Sequence, residues 1–283
     1  NFSPDGKSIL LVSWNDANMA TVKVRDLATG TDRNITTEKG FYHNPRWSHD
    51  GKMIVFEKGS GTGELGFAFG NETGLYLCNA DGSNLHFLCK DGSEPYFNET
   101  NSRIYYSSGG GMNKSFKSIG IDGKDVVTHF TAKYAKDFVP SPDGKWIAFT
   151  ELYNAYVAAF PKTGQALDLS GGGGGYPVFK VTRDAGTSLH WSHDSKNLHW
   201  LLGPEYFTRS LQKCFTFLPG SADSLPPVDS TGINIGLKLD SYVPAGVVAV
   251  TGARIISMKG DEVIERGDIV VEGNRIVGDW ELQ

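Results

Sequence analysis

A short phrase recurs along most of this chain: FSPDGKSIL from Phe2, WSHDGKMIV from Trp47, FNETNSRIY from Phe97, PSPDGKWIA from Pro140 and WSHDSKNLH from Trp191. The aligned positions Ser3, Ser48, Asn98, Ser141 and Ser192 are 45, 50, 43 and 51 residues apart. A period of that length in a strand-rich sequence marks a radial repeat of small sheets. The chain therefore reads as a β-propeller.

The phrase has a mechanism. The serine and aspartate side chains reach nearby backbone amides, proline fixes φ, and glycine supplies the positive φ that closes a tight turn. The runs that follow, LLVSW, IVFEK, IYYSS, IAFTE and LHWLL, are rich in the β-branched and aromatic residues of buried strands. A further hairpin follows in each repeat: TVKVRDLATGTDRNIT, GLYLCNADGSNLHFLC, SFKSIGIDGKDVVTHF, AYVAAFPKTGQALDLS and the looser EYFTRSLQKCFTFL. Four strands per repeat make a blade. The unequal spacing falls in KGSGTGELGFAFGNET and SGGGGGYPVFK, which surface loops absorb at small cost.

The pattern of an aromatic residue, S-P-D-G-K, an apolar strand and a glycine-bearing hairpin resembles the TolB-type propeller repeats. The resemblance covers about residues 1–218 and implies an all-β fold of about five four-stranded blades, the first incomplete. Asn98–Asn101 and Ser192–Ser195 lose the proline or the glycine, so blades three and five are expected to depart from the plan. Trp47, Phe97 and Trp191 are expected between neighbouring blades. The sequence opens at Asn1 inside a repeat, which places the natural N-terminus upstream and leaves the ring in need of further blades or a protected edge.

The composition changes at residue 219. PGSADSLPPVDSTG begins a Pro/Gly/Ser-rich linker with a connecting strand over 219–240, and a last segment occupies 241–283. From Gly246 to Val277 that segment resembles the opening strands of metal-dependent amidohydrolases, which form part of a small β-sandwich. The resemblance implies a (β/α)₈ barrel after the segment, a divalent metal, zinc, within that barrel, and sandwich strands supplied from beyond it. This chain contains no His-x-His, so no catalytic, cofactor-binding or metal residue is carried over. Without their partners, the strands VVAVTGARIISM and DIVVEGNRIV are expected to be disordered or to find a partner, by packing on their own propeller or by adding to a neighbouring copy.

Other features read as structure. His190, His193 and His199 lie close together in LHWSHDSKNLHW, with Asp194 beside them as a carboxylate. His193 fills a turn slot, as His49 does, and the three are assigned to turns and strands. The Gly171–Gly175 run opens no helix and lacks a following Lys-Ser/Thr, so it reads as an inter-blade loop rather than a phosphate cradle. No G-x-S-x-G elbow is present. Cys78, Cys89 and Cys214 have neither disulfide nor zinc spacing and read as buried thiols. Asn1, Asn34, Asn71, Asn98 and Asn113 stand in glycosylation sequons, which turn-rich chains acquire by chance.

A net charge of -5 without a basic run argues against nucleic acid. No apolar stretch is long enough to span a membrane as a helix. Two function classes follow. The chain is the non-catalytic propeller and sandwich portion of an amidohydrolase, its partner being the remainder of that enzyme. Alternatively it is a TolB-like module that binds a protein or peptide, or a second copy of itself by strand addition. Either reading implies a periplasmic or secreted protein.

Overall fold

The computed structural model describes residues 1–61, 72–236 and 238–281, so the sequon at Asn71 lies outside the described residues. The chain divides into two compact units, Asn1–Ile235 and Gly236–Gln283. Among the described residues no helix is long and apolar enough to cross a membrane.

The first unit is a propeller of five sheets, antiparallel apart from one short parallel pairing. Blade 1 holds β1 (Ser8–Asn15), β2 (Met19–Asp26) and β3 (Asp32–Asn34), and its inner strand is reduced to a bridge between Phe2 and Ile9. Blade 2 holds β4 (Phe41–Trp47), β5 (Met53–Gly59), β6 (Gly74–Asn79) and β7 (His86–Cys89). Blade 3 holds β8 (Ser93–Phe97), β9 (Arg103–Gly110), β10 (Asn113–Gly120) and β11 (Val127–Ala132). Blade 4 begins with β12 (Lys136–Pro140), β13 (Trp146–Glu151) and β14 (Asn154–Ala159). Then the plan changes. β15 (Leu167–Asp168) leaves blade 4 and pairs parallel with β11, while β16 (Val178–Lys180) completes blade 4. The hairpin expected in AYVAAFPKTGQALDLS is therefore shared between two blades.

Blade 5 holds β17 (Thr187–Trp191), β18 (Asn197–Leu202) and β19 (Glu205–Ser210). Residues Leu211–Lys213 after β19 form a 3₁₀ turn rather than the return strand expected in EYFTRSLQKCFTFL. The fourth strand is β20 (Ile233–Asn234), from the segment expected to be linker. Arg209 explains this return. Its side chain is fully buried and donates to the carbonyls of Lys213, Pro226 and Pro227 and to Asp229. A buried guanidinium needs such a set of acceptors, and the proline-rich strap supplies them.

Four core clusters each join two consecutive blades. Leu10, Val22 and Val24 meet Ile54 and Phe56 between blades 1 and 2, and Val55 and Leu77 meet Phe97 and Ile104 between blades 2 and 3. Phe116 and Phe130 meet Phe138 and Phe149, and Val157 and Trp146 meet Leu198, Trp200 and Phe215. The middle strands of blades 2 to 4 bury both faces, which is why IVF, IYY and IAF are continuously apolar. As expected, Phe97 sits in the cluster with the preceding blade, Trp47 packs against blade 1, and Trp191 donates its indole N–H to Val139 O of blade 4 at 2.9 Å. None of these clusters joins blade 5 to blade 1.

The recurring turn is built the same way five times. In blade 4 Ser141 Oγ donates to Asp143 and accepts from Trp146 N at 3.0 Å, while Gly144 takes φ 66°. Blades 3 and 5 keep the geometry despite their changed sequence, contrary to expectation. Asn98 accepts from the amides of Ser102 and Arg103 in place of serine, and Asn101 and Ser195 take the positive φ in place of glycine. Their side chains also do something glycine cannot: Asn101 Oδ1 accepts from His49 N, and Ser195 Oγ accepts from Asp143 N. Each substitution ties two blades together. The buried, engaged amide of Asn98 is thereby removed as a glycosylation acceptor.

The three thiols are free; Cys78 and Cys214 are buried, and burial pushes the Cys78 thiol up to about 12. Gly171 is held where a Cβ would lie 2.5 Å from the Tyr156 ring, and its N–H donates to Glu151.

The second unit is a meander of β21 (Val247–Ile256), β22 (Val263–Glu272) and β23 (Arg275–Glu281). Its strands pair with one another, β22 in the centre, so the segment is ordered through its own ladder. Among the described residues of this unit no hydrophobic side chain is buried, and Val248, Val250 and Ile276 are all exposed.

Three outcomes test this description. Ser141→Ala leaves Trp146 N without its acceptor and should lower stability by about 1–3 kcal/mol in urea denaturation. Arg209→Met should keep the blade 5 interior apolar but free the strap, seen as faster protease cleavage within 219–232 than in the parent chain. His129, ringed by Tyr105, Phe116 and Phe160 and bonded to Ser118, has its pKa lowered to about 4 by burial and then by Arg103 and Lys162. As pH falls from about 6.5 towards 4 the unfolded chain binds this proton first, so stability present above that window is lost within it. His129→Gln should flatten the slope of unfolding free energy against pH over that range.

Candidate functional site

The innermost strands β4, β8, β12 and β17 share one irregularity. Each slips register against its neighbour at a residue in the left-handed region: Asn44 (φ 49°), Glu94 (φ 51°), Asp137 (φ 53°) and Ser188 (φ 56°). Such bulges re-aim side chains, and here the repeat places the bulge at the same position in four blades.

On one side of the bulges lie carboxylates. Asn44 Nδ2 and Glu94 N both donate to Glu57 Oε2, at 3.2 and 3.3 Å, which holds the Glu57 carboxylate against the Glu94 backbone. Glu94 accepts from Ser107, and Asp137 accepts from Thr150. Burial, then the charge of Asp137, raises the Glu94 pKa above the usual carboxylate range, against the opposing bond from Ser107. Among the described residues no group of three or more His, Cys, Asp or Glu is arranged to hold a metal ion.

On the other side is a cavity of about 600 Å³ lined by the first strands and turns of all five blades. Arg46 crosses it. Its guanidinium lies 4.6 Å from the Tyr96 ring centre and donates to Tyr96 Oη at 3.1 Å. Burial raises the Tyr96 pKa although Arg46 opposes this, so the phenol stays protonated near neutrality. Among the described residues no carboxylate lies within ion-pair distance of Arg46, and its Nε is buried without a partner. Trp47 Nε1 is likewise unpartnered, whereas the equivalent Trp191 reaches Val139 O. Glu94 lies within electrostatic reach of Arg46 but makes no direct pair with it, and such a cation in a concave, aromatic-walled mouth can hold an acceptor, best an anionic one.

Sequence reasoning assigned no residue to this site. Arg46, Tyr96, Val139 and His190 all stand one place before the residue that opens the recurring phrase, and the bulge residues two places earlier. Reading those columns of the repeat would have found them. Of the histidines singled out earlier, the structure brings His190 and His199 together as cross-strand partners and leaves His193 in the turn. The Gly171–Gly175 run lies between β15 and β16, away from the axial mouth.

No protein-family model matches the chain, and no curated protein does. Among solved structures it is similar to TolB from Acinetobacter baumannii, with 20% identity, 73% of this chain and 49% of that one covered, and a TM-score of 0.53. A putative TolB from Agrobacterium tumefaciens matches at 14% identity over 99% of this chain and 79% of that one, again with a TM-score of 0.53. An oligogalacturonate lyase in complex with manganese matches at 13% identity over 70% and 60%, with a TM-score of 0.51. The chain spans about half the length of the Acinetobacter protein. At these identities the likeness establishes the TolB-like propeller fold.

Arg46 is the electrostatic centre of the axial mouth. Arg46→Ala removes its bond and ring contact with Tyr96 and should lower stability by about 1–2 kcal/mol, less than Phe56→Ala in the adjoining core, which should cost about 3–5 kcal/mol in urea denaturation.

Proposed function

We propose that this chain is a non-catalytic binding propeller whose axial mouth takes an extended peptide or protein segment bearing a carboxylate. The observation that carries the reading is Arg46, a cation without a carboxylate partner, set against Tyr96 in a cavity to which all five blades contribute. Charge-assisted pairing to Arg46 would fix the ligand, and Tyr96, Phe97 and Trp191 would flank its apolar part.

The test is a selection of short peptides on the full chain, with the Arg46→Ala chain as the counter-screen. Binders with a free C-terminal or side-chain carboxylate should lose affinity by at least about tenfold on Arg46→Ala, in keeping with the worth of a charged hydrogen bond. Binding indifferent to Arg46, or confined to peptides without a carboxylate, removes the reading.

A second reading rests on the last segment. The chain is the leading part of a metal-dependent amidohydrolase, its propeller beside a hydrolase barrel and its β21–β23 meander awaiting the rest of a sandwich. Supporting it are the phrase from Gly246 to Val277 and the unburied apolar side chains of that sheet. The two readings are compatible, since a propeller can hold a substrate segment near a barrel. Reading the gene beyond Gln283 decides: a His-x-His pair within a few tens of codons supports the enzyme, and a stop codon rejects it. Both readings place the protein in the periplasm or outside the cell.

A further inference from the structure

Blade 5 turns Leu189, Leu198, Trp200 and Phe207 towards blade 4, so alternation along its strands sends His190, His199 and Tyr206 to the opposite face. That face belongs to none of the core clusters. His190 is exposed, and His199 and Tyr206 are partly so.

His190 and His199 are direct partners across the β17–β18 ladder, and their rings stack 5.0 Å apart at 19°. Tyr206 lies beside both, with ring centres 5.8 and 5.5 Å away. The hydrogen bonds fix how the imidazoles present themselves. His190 Nδ1 is 2.9 Å from Ser188 O, a carbonyl that only accepts, so Nδ1 carries the proton and Nε2 offers its lone pair. The left-handed bulge at Ser188 sets that carbonyl in place. Tyr206 Oη, 3.2 Å away, donates to Nε2. His199 Nδ1 is held 2.8 Å from Thr208 Oγ1. Each ring thus has its Nδ1 anchored by a backbone carbonyl or a hydroxyl, which is the supporting shell that orients metal-ligating histidines.

We propose that His190 and His199, with the Tyr206 oxygen as a third donor, form a surface site for a late first-row divalent transition-metal ion, Cu²⁺ held more tightly than Zn²⁺. Imidazole nitrogens suit these ions, and the order of preference follows the general trend of their affinities. Two imidazole nitrogens on one ion at about 2.0–2.1 Å lie roughly 3 Å apart, so the rings, whose centres stack 5.0 Å apart, must tilt together at Nε2 to share it. With two imidazoles and remaining positions for water, the site is weaker than a four-ligand structural zinc centre. The inference does not rest on the peptide-binding reading.

The test uses the full chain without a polyhistidine tag, titrated calorimetrically with CuCl₂ and with ZnCl₂, and electron paramagnetic resonance of the copper-loaded chain. One Cu²⁺ per chain with nitrogen couplings from two imidazoles is expected. His190→Gln and His199→Gln should each weaken binding by at least about tenfold, and His193→Gln should leave it unchanged. No saturable binding, or binding retained by the double His190→Gln, His199→Gln chain, overturns the site. Should a glutamine chain lose the parent's circular dichroism, the parent's imidazole NMR resonances decide: selective copper broadening of His190 and His199 supports the site, and broadening confined to other histidines overturns it.

Discussion

Burial on both faces of a blade is the constraint on which the rest of this structure depends. A lone four-stranded sheet has two faces to cover and no helix to cover them. Stacking blades around an axis lets each interface serve two sheets, and fully burying a Phe or Leu there contributes about 1.5–3 kcal/mol. The four clusters from Leu10 to Phe215 are therefore the fold's main source of stability. The two end faces are treated differently. Blade 1 ends in Lys23 and Arg25 paired with Asp32, and blade 5 in the His190, His199 and Tyr206 group. Polar end faces discourage indiscriminate stacking and leave side chains available for other chemistry.

Radial repetition also multiplies local irregularities. A single left-handed bulge would be a local kink. Four at equivalent places, from Asn44 to Ser188, hold Glu57 against the Glu94 backbone on one side and set Arg46 and Tyr96 on the other. The raised pKa of Glu94 and the unpaired Nε of Arg46 show the cost of gathering polar groups where water is scarce. The same repetition carries the inter-blade ties of Asn101 and Ser195, where loss of the consensus glycine brings in a side chain that bonds the neighbouring turn.

The strap after β19 follows the same logic of satisfied polar groups. Arg209 projects into the blade interior, so the chain must return acceptors to it, and prolines do so well because their carbonyls are free while they have no N–H to satisfy. That return delivers β20 to the open edge of blade 5 and moves the division between units to Ile235, beyond the start of the Pro/Gly/Ser-rich stretch.

The recurring turn, its period and the apolar runs after it determined that the chain is a propeller of about five blades, because each is a local property repeated often enough to survive irregular copies. Phe97 and Trp191 were legible as inter-blade residues for the same reason. Strand exchange was not: that β15 joins blade 3 and β20 completes blade 5 depends on which free edge lies nearest in space. Nor was the axial site, since Arg46, Tyr96 and Trp191 lie in different repeats and come to one cavity only when the blades pack around an axis. His190 and His199 show the division within a single hairpin. Their spacing in sequence suited strand or turn equally, and the bulge at Ser188, which shifts the register, decided that the two rings would face each other.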